Sequence, residues 1–382
     1  MKKVVIFGST GSVGKNVLRV IRKDPKKFKV MGLCTNKDIK TLISQIKEVK
    51  PNYVCVRDEK SAKVIKNYLP KKIKLFKGDK GIDEFCSIKS DISCMAISGI
   101  SCLRPLLLNL KYTKRVALAN KESIVTAGDL VFKAAKKANT EIIPVDSEIN
   151  AIFQLFDRKR DSSCLRKIYL TASGGSLSNY MQKDLKRVTV NQALNHPTWS
   201  MGKRITIDSA TLVNKGFEVI ETHFFFKIPY EDIDIVIHKE SFVHALCEYN
   251  DNTLLSCLYS PDMKKPISFS LYYPKRQNLV QDKVFDKAFS LSFFPINYNK
   301  FPLLKLILKA AKKKDNSLAV LNACDEVAID YFLKKKIKFT DIFKVMEYIF
   351  RKYPSCKIKS LEDVFYWDDW ARQKTRNYID KL

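Results

Sequence analysis

Histidine is scarce in this chain, with 4 in 382 residues, and no two of its 10 cysteines stand in a C-x-x-C spacing. Both shortages argue against a zinc ribbon or finger. Length and scattered thiols exclude a small disulfide-stapled fold and suit a reducing cytoplasm. Long apolar runs are also missing. Val4–Phe7 stops at Gly8, too short for a signal-peptide core, and Ile97–Leu110 is broken by Arg104 and Asn109. A soluble cytoplasmic protein without a membrane partner is expected. Acidic residues are few, 40 against 69 Lys+Arg, for a net charge of +29. That excess invites a nucleic-acid partner. The basic residues are spread along the whole chain, however, and the densest blocks, Lys312–Lys314 and Lys334–Lys336, are short. They read as solvated faces, so no nucleic-acid partner is expected.

At 46% hydrophobic the chain can bury a sizeable core, and its length suits two or three domains. The first third alternates β-branched runs (Val4–Phe7, Lys29–Cys34, Tyr53–Val56, Ile92–Ile97, Arg115–Ala119, Glu141–Val145) with amphipathic stretches such as Lys15–Lys23 and Lys60–Tyr68. Strand–helix alternation predicts a doubly wound, Rossmann-type α/β sheet. The middle third, with strand-like Lys167–Thr171, Ile233–Ile237, Phe242–Tyr249 and Thr253–Tyr259, reads as an α+β domain, and Asn250-Asp251-Asn252 as a hairpin turn. Helical periodicity then covers Leu303–Lys312, Leu318–Lys334, Thr340–Arg351 and Leu361–Tyr378. The expected domains are a cofactor domain over 1–135, a catalytic and dimerisation domain over 136–274, a linker over 275–300 and a C-terminal helical bundle over 301–382.

Gly8-Ser9-Thr10-Gly11-Ser12-Val13-Gly14 follows the first strand directly and opens a helix. A tight turn feeding a helix N-terminus presents backbone amides to a pyrophosphate, so Gly8, Thr10, Gly11, Ser12, Val13 and Gly14 are candidate dinucleotide-binding residues. An NAD site places a carboxylate at the end of the second strand to hold the ribose 2′-hydroxyl. Here Asn36 and Lys37 stand there, which suits the 2′-phosphate of NADPH; Asp38 is the competing acid, and all three are candidate cofactor-binding residues. An NADP-dependent semialdehyde or homoserine-type dehydrogenase would use such a loop, and an aldehyde dehydrogenase would add a nucleophilic cysteine. No cysteine here stands in a convincing polar motif. A basic nucleic-acid-binding protein that keeps a Rossmann-like domain is the alternative from another class.

Five segments carry the reading further. They are Ala119-Asn120-Lys121-Glu122-Ser123, Pro144-Val145-Asp146-Ser147-Glu148, Thr171-Ala172-Ser173-Gly174-Gly175, His196-Pro197-Thr198-Trp199-Ser200-Met201-Gly202, and Ile207-Asp208-Ser209-Ala210-Thr211 running into Asn214-Lys215-Gly216-Phe217-Glu218. In this order and spacing the chain closely resembles the 1-deoxy-D-xylulose 5-phosphate reductoisomerase family of the non-mevalonate isoprenoid pathway. The resemblance extends to Ser260-Pro261-Asp262-Met263 and Leu321-Asn322-Ala323.

The residues also make chemical sense by themselves. Asp146 and Glu148, two apart at a strand end, would project to one side if extended. With Glu218 they would make a hard oxygen site for Mg²⁺ or Mn²⁺, and the resemblance implies that these three are the metal ligands. Ser173, Ser209, Asn214 and Lys215 supply the hydroxyl, amide and ammonium donors that suit a phosphate. The family gives all four to the substrate phosphate. It places Lys121 and Ser147 at the oxygenated carbons of the sugar phosphate, Asn120, Glu122 and Gly202 by the cofactor, and His196 and His244 near the substrate. Trp199 and Met201 would form an apolar lid. Lys121, Asp146, Glu148, His196 and Glu218 are thus the candidate catalytic residues. His223 and His238 read as structural.

Two positions depart from the family pattern. Ile149 stands where a His usually follows the Ser-Glu pair, removing a group that could orient a metal ligand, and Lys239-Glu240 replaces Pro-Gln after His238. The reaction implied is metal-assisted rearrangement of 1-deoxy-D-xylulose 5-phosphate, by retro-aldol cleavage and re-addition, followed by NADPH reduction to 2-C-methyl-D-erythritol 4-phosphate. The family also implies a homodimer.

Overall fold

The computed structural model describes residues 1–156, 164–199, 201–278 and 289–382. They form two compact units. The first comprises Met1–Ser123, Val131–Asn150 and Asp262–Asp282, the second Ile124–Leu130, Ala151–Pro261 and Lys283–Leu382.

Seven parallel strands make the sheet of the first unit: β1 (Lys2–Phe7), β2 (Phe28–Thr35), β3 (Tyr53–Val56), β4 (Lys74–Lys77), β5 (Ser90–Met95), β6 (Thr113–Leu118) and β7 (Glu141–Pro144). Their order is β4-β3-β2-β1-β5-β6-β7, so the winding direction reverses between β1 and β5. That reversal opens a crevice at the carboxyl ends of these two strands, where ligands of doubly wound sheets bind. Val4, Ile6, Leu33, Val54 and Ile92 are buried, as a sheet flanked by helices requires. The doubly wound sheet is the one the alternation predicts, with one strand more: β4 carries only Leu75 and Phe76 between two lysines and lies at the sheet edge, where no long apolar run is needed.

The second unit holds a five-stranded mixed sheet: β8 (Leu165–Ala172), β9 (Ile233–Ile237), β10 (Val243–Tyr249), β11 (Leu254–Leu258) and β12 (Phe294–Pro295), ordered β11-β10-β8-β9-β12. β8 and β9 run parallel and the other pairs antiparallel. Asn250–Asn252 does turn the chain between β10 and β11: Asn252 takes φ 64° and the Thr253 amide donates to Asp251 Oδ1 at 2.9 Å. β12 falls inside the stretch expected to be a linker, of which 279–288 lie outside the described residues. Four C-terminal helices, Pro302–Ala311, Ser317–Leu333, Phe339–Lys352 and Leu361–Ile379, pack with the helix Val213–Phe226 around Phe217, Ile307, Leu321 and Met346. Among the described residues no helix is long and apolar enough to cross a membrane.

Candidate active site

The glycine loop lies at the β1/β5 crevice. Gly8 takes φ +78°, and a Cβ there would meet the Ala96 carbonyl oxygen at 2.4 Å, so only glycine lets the two strand ends approach. The Gly8 and Ser9 amides donate to the Cys34 carbonyl at 3.0 and 2.9 Å, and Thr10 Oγ1 meets Thr35 Oγ1 at 2.6 Å. The loop is thereby fixed to the end of β2. The helix Ser12–Arg22 begins at Gly11 with no side-chain cap and no acid in its first turn, which leaves the amides of Ser12, Val13 and Gly14 for an anion.

Sequence reasoning missed Gln45. Its amide donates to the Ser9 carbonyl and its oxygen accepts from Ser9 Oγ, both at 2.8 Å, closing the loop from below. The available signal was position: Gln45 stands between Leu42 and Ile46 on the buried stripe of the helix Ile39–Val49. At the end of β2, Asn36 and Lys37 are exposed. Asp38 is the N-cap of that same helix, its carboxylate accepting the Thr41 amide at 3.0 Å. This helix cap accounts for the acid that competed with Lys37 in the sequence.

Asn120 and Glu122 tie the loop after β5 to the loop after β6. Asn120 Nδ2 lies 3.0 Å from the Ile97 and Gly99 carbonyls and 2.8 Å from Glu122 Oε2, while Glu122 Oε1 accepts the Gly99 amide at 3.0 Å. Asn120 Oδ1 accepts the Ser123 amide at 2.9 Å, so it also satisfies an amide in the first turn of the helix Glu122–Ala138.

Asp146 and Glu148 do not project from an extended strand. β7 ends at Pro144 and the helix Ser147–Leu155 begins at once, placing Glu148 in its first turn. Asp146 Oδ1 accepts the Glu148 amide at 3.3 Å, and Oδ2 pairs with the buried ammonium of Lys121 at 2.7 Å. A helix start, not strand alternation, brings the two acids together; it also favours negative charge there. Their ligand oxygens lie within 4.8 Å of each other. Ser147 Oγ donates to the Glu148 carboxylate. Ile149, at the departure from the family pattern, is fully buried.

In the second unit, Leu212 at φ 59° joins the helix Lys203–Thr211 to the helix Val213–Phe226. One turn of the latter brings Asn214 and Lys215 onto Glu218. Asn214 Nδ2 donates to Oε1 at 2.5 Å, and the Lys215 ammonium pairs with Oε2. Glu218 is 1% exposed and Lys215 3%. A carboxylate buried this deeply needs such a counter-charge, and it can offer one oxygen to a cation.

Ser173 follows β8. Gly175, at φ +70°, presses on Ser209 and Ala210: a Cβ there would lie 2.5 Å from the Ser209 carbonyl oxygen. The Ser173 loop and Ser209 are therefore neighbours. His196 Nδ1 accepts the amides of Thr198 and Trp199 at 3.1 and 3.0 Å, which leaves the proton on Nε2 to donate to Ser173 Oγ at 3.1 Å. Burial pushes its pKa below the ordinary histidine value, favouring this neutral tautomer. Trp199 meets His244 edge-on with ring centroids 6.2 Å apart; His244 stacks on Tyr259, whose carbonyl lies 3.1 Å from its Nε2. Met201 is half-buried and Gly202 is the exposed N-cap of the helix Lys203–Thr211; Ser200 lies outside the described residues. His238 and His223 are held in the structure by the Ser292 and Ile228 carbonyls at 2.9 and 2.7 Å.

A doubly wound sheet with this loop at its switch point, in a chain whose second unit is rich in phosphate-type donors, defines a dinucleotide-dependent oxidoreductase. Residues 4–128 match the 1-deoxy-D-xylulose 5-phosphate reductoisomerase family, and residues 142–226 and 258–374 match the two C-terminal domains described for it. The 1-deoxy-D-xylulose 5-phosphate reductoisomerase of Thermodesulfovibrio yellowstonii is 43% identical over 99% of this chain and 100% of its own length. The solved structure of the Zymomonas mobilis reductoisomerase in complex with NADPH is 35% identical, with a TM-score of 0.92 over 100% of both chains. A DOX-P reductoisomerase solved with NADPH, fosmidomycin and magnesium is 34% identical, with a TM-score of 0.94 over 100% of this chain and 98% of its own. The chain belongs to the 1-deoxy-D-xylulose 5-phosphate reductoisomerase family. It is accordingly an enzyme, an NADP-dependent oxidoreductase of the isomeroreductase type, and not a homoserine-type dehydrogenase.

Proposed function

We propose that this chain binds NADPH and a divalent cation, Mg²⁺ or Mn²⁺, and converts 1-deoxy-D-xylulose 5-phosphate into 2-C-methyl-D-erythritol 4-phosphate with the residues described above. The observation that carries the residue assignment is a pair of buried ammonium–carboxylate couples, Lys121–Asp146 and Lys215–Glu218, accompanied by Glu148. Three carboxylates and no thiol or imidazole make a donor set that fits a hard cation. When bound, the cation supplies Lewis acidity toward the ketone and adjoining hydroxyl of the substrate, and NADPH supplies the hydride. Asp146, Glu148 and Glu218 would hold the cation. Lys121 and Ser147 orient the sugar oxygens. Ser173, Ser209, Asn214 and Lys215 take the phosphate, with neutral His196 donating through Nε2. Trp199, Met201 and His244 exclude water from the reacting carbons. Gly8, Thr10, Gly11, Ser12, Val13 and Gly14 seat the pyrophosphate, Asn36 and Lys37 the 2′-phosphate; Asn120, Glu122 and Gly202 lie toward the nicotinamide half. Functionally the chain divides into a cofactor part (1–135), a catalytic part (136–274), a linker (275–300) and a helical part (301–382).

The decisive assay follows NADPH oxidation on addition of 1-deoxy-D-xylulose 5-phosphate. Turnover should require Mg²⁺ or Mn²⁺ and stop with a chelator; cation-independent turnover would refute the assignment. In the same assay Lys37→Ala should raise KM for NADPH by about tenfold and leave NADH nearly unchanged, because one phosphate contact is worth roughly 1.4 kcal/mol. Equal losses for both cofactors would remove Lys37 from the 2′-phosphate site.

A homodimer formed through β11 is part of this reading. β11 is the edge of its sheet, and Leu254 and Leu258 are 54% and 43% exposed on it. An apolar edge strand of this kind invites pairing with a second copy. Leu254→Lys/Leu258→Lys should give a monomer in size-exclusion light scattering; a dimer that survives the pair excludes this edge. The cytoplasm is the proposed compartment, where NADPH is available and ten free thiols stay reduced.

A further inference from the structure

The helix Lys203–Thr211 carries Ser209 at one end and an oddly placed charge at the other. Arg204 is its second residue, yet a cation in the first turn opposes the helix dipole. Its guanidinium is mostly buried and finds compensation from another helix. Nη1 donates to Glu326 Oε1 at 2.6 Å, and Nη2 donates to Asn322 Oδ1 at 3.0 Å and to Asp325 Oδ2 at 3.3 Å. Nε lies 3.6 Å from Asp208 Oδ2, one turn further along its own helix. The second oxygen of Glu326 takes Arg372, which grips Asp368 through two bonds of 2.6 and 3.1 Å. One continuous chain of charged bonds thus runs from the last helix, Leu361–Ile379, through Ser317–Leu333 to the helix that presents Ser209.

This network is a costly way to hold helices together. Asp325 is completely buried, and burial outweighs the attraction of Arg204 to push its carboxyl up to about 6. Asn322 Nδ2 has no hydrogen-bond partner among the described residues, and the Asp325 carboxyl meets a second acid, Asp208. Apolar side chains of the same volume would pack at least as stably, so an ionic cluster here is better explained by the geometry it enforces than by stability. What it enforces lies on either side of Arg204. Upstream is Gly202, where the segment bearing Trp199 and Met201 ends. Downstream are Ser209, the Gly175 loop pressed on its carbonyl, and Leu212, whose left-handed turn leads straight into Asn214 and Lys215.

We infer that Arg204 is a positioning residue for the substrate phosphate: through Glu326, Asn322 and Asp325 it lets the C-terminal helices set where Ser209, and with it the whole phosphate seat, stands. The inference rests on the proposed phosphate role of Ser209. Lysine keeps the charge but cannot fork to three acceptors, so Arg204→Lys should loosen the helix without unfolding it.

The test compares Arg204→Lys, Glu326→Gln, their combination and Ser209→Ala in the steady-state assay, with Tm and NADPH affinity measured alongside. Arg204→Lys and Glu326→Gln should each raise KM for 1-deoxy-D-xylulose 5-phosphate by about tenfold, with kcat within about twofold, since phosphate contacts bind ground and transition states alike. Tm should fall by a few degrees, since each variant weakens a buried ionic network, while NADPH affinity should stay near wild type. The combined variant should be little worse than either single one, because both cut the same link. Unchanged KM in both single variants would overturn the inference, as would a rise in KM matched by equal losses of kcat and NADPH affinity, the mark of a purely structural network. If Ser209→Ala leaves KM unchanged, the phosphate seat itself is misassigned. If Ser209→Ala raises KM and Arg204→Lys does not, the seat stands and only the role of Arg204 falls.

Discussion

Asp146→Asn and Glu218→Gln should each cut turnover at saturating NADPH by at least about a thousandfold, roughly 4 kcal/mol of barrier. Both substitutions keep the volume and remove a charged oxygen ligand. Each also removes the carboxylate paired with a buried ammonium, Lys121 in one case and Lys215 in the other, at 8% and 4% side-chain exposure. The site should therefore attract a cation far less strongly. NADPH affinity should stay within about threefold of wild type, since the glycine loop draws its fixed contacts from β2, β5 and Gln45 and not from these carboxylates. Calorimetry with Mn²⁺ and cofactor fluorescence separate the two functions. Near-normal turnover in either variant would remove that residue from the cation site, and a parallel loss of NADPH binding would point to misfolding.

Gly8→Ala should produce the complementary defect. The added Cβ would lie 2.4 Å from the Ala96 oxygen, 2.6 Å from the Ala96 carbon and 2.9 Å from the Ile97 nitrogen, all backbone atoms that cannot rotate away. The φ of +78° adds a further penalty of about 1 kcal/mol for an L-residue. Relief requires the ends of β1 and β5 to part, and with them the loop that faces the pyrophosphate. NADPH affinity should fall at least about a hundredfold, equivalent to nearly 3 kcal/mol. Tm should drop by several degrees, at about 2–4 °C per kcal/mol for a chain of this size. Glu218, on a helix of the second unit, should keep its partners. NADPH affinity close to wild type would mean that the loop does not seat the cofactor.

The glycine loop could be read before any coordinates because its information is local. A strand, a short glycine-spaced turn and a helix start follow each other within some twenty residues, and their periodicities differ. The hairpin at Asn250–Asn252 was legible for the same reason. β4 was not, since an edge strand has one side to bury and four residues give no pattern. The carboxylate pair stood out for its residue types but not for its geometry: nothing in Pro144-Val145-Asp146-Ser147-Glu148 announces that the strand stops at Pro144 and a helix starts three residues later. Nor does the sequence announce that the Asp38 carboxylate caps a helix.

By itself the sequence determined the doubly wound sheet, the glycine turn that follows its first strand and the family, because each is written in contiguous stretches whose order and spacing local physics constrains. Tertiary structure decided the pairings: Lys121 with Asp146, Lys215 and Asn214 with Glu218, Gln45 under Ser9, His196 between Ser173 and Trp199, and Arg204 on Glu326, 122 residues away. Most of these join distant positions, and all use residues whose ordinary place is a solvated surface. A charged or polar side chain reveals its partner only when burial removes water as the competing one.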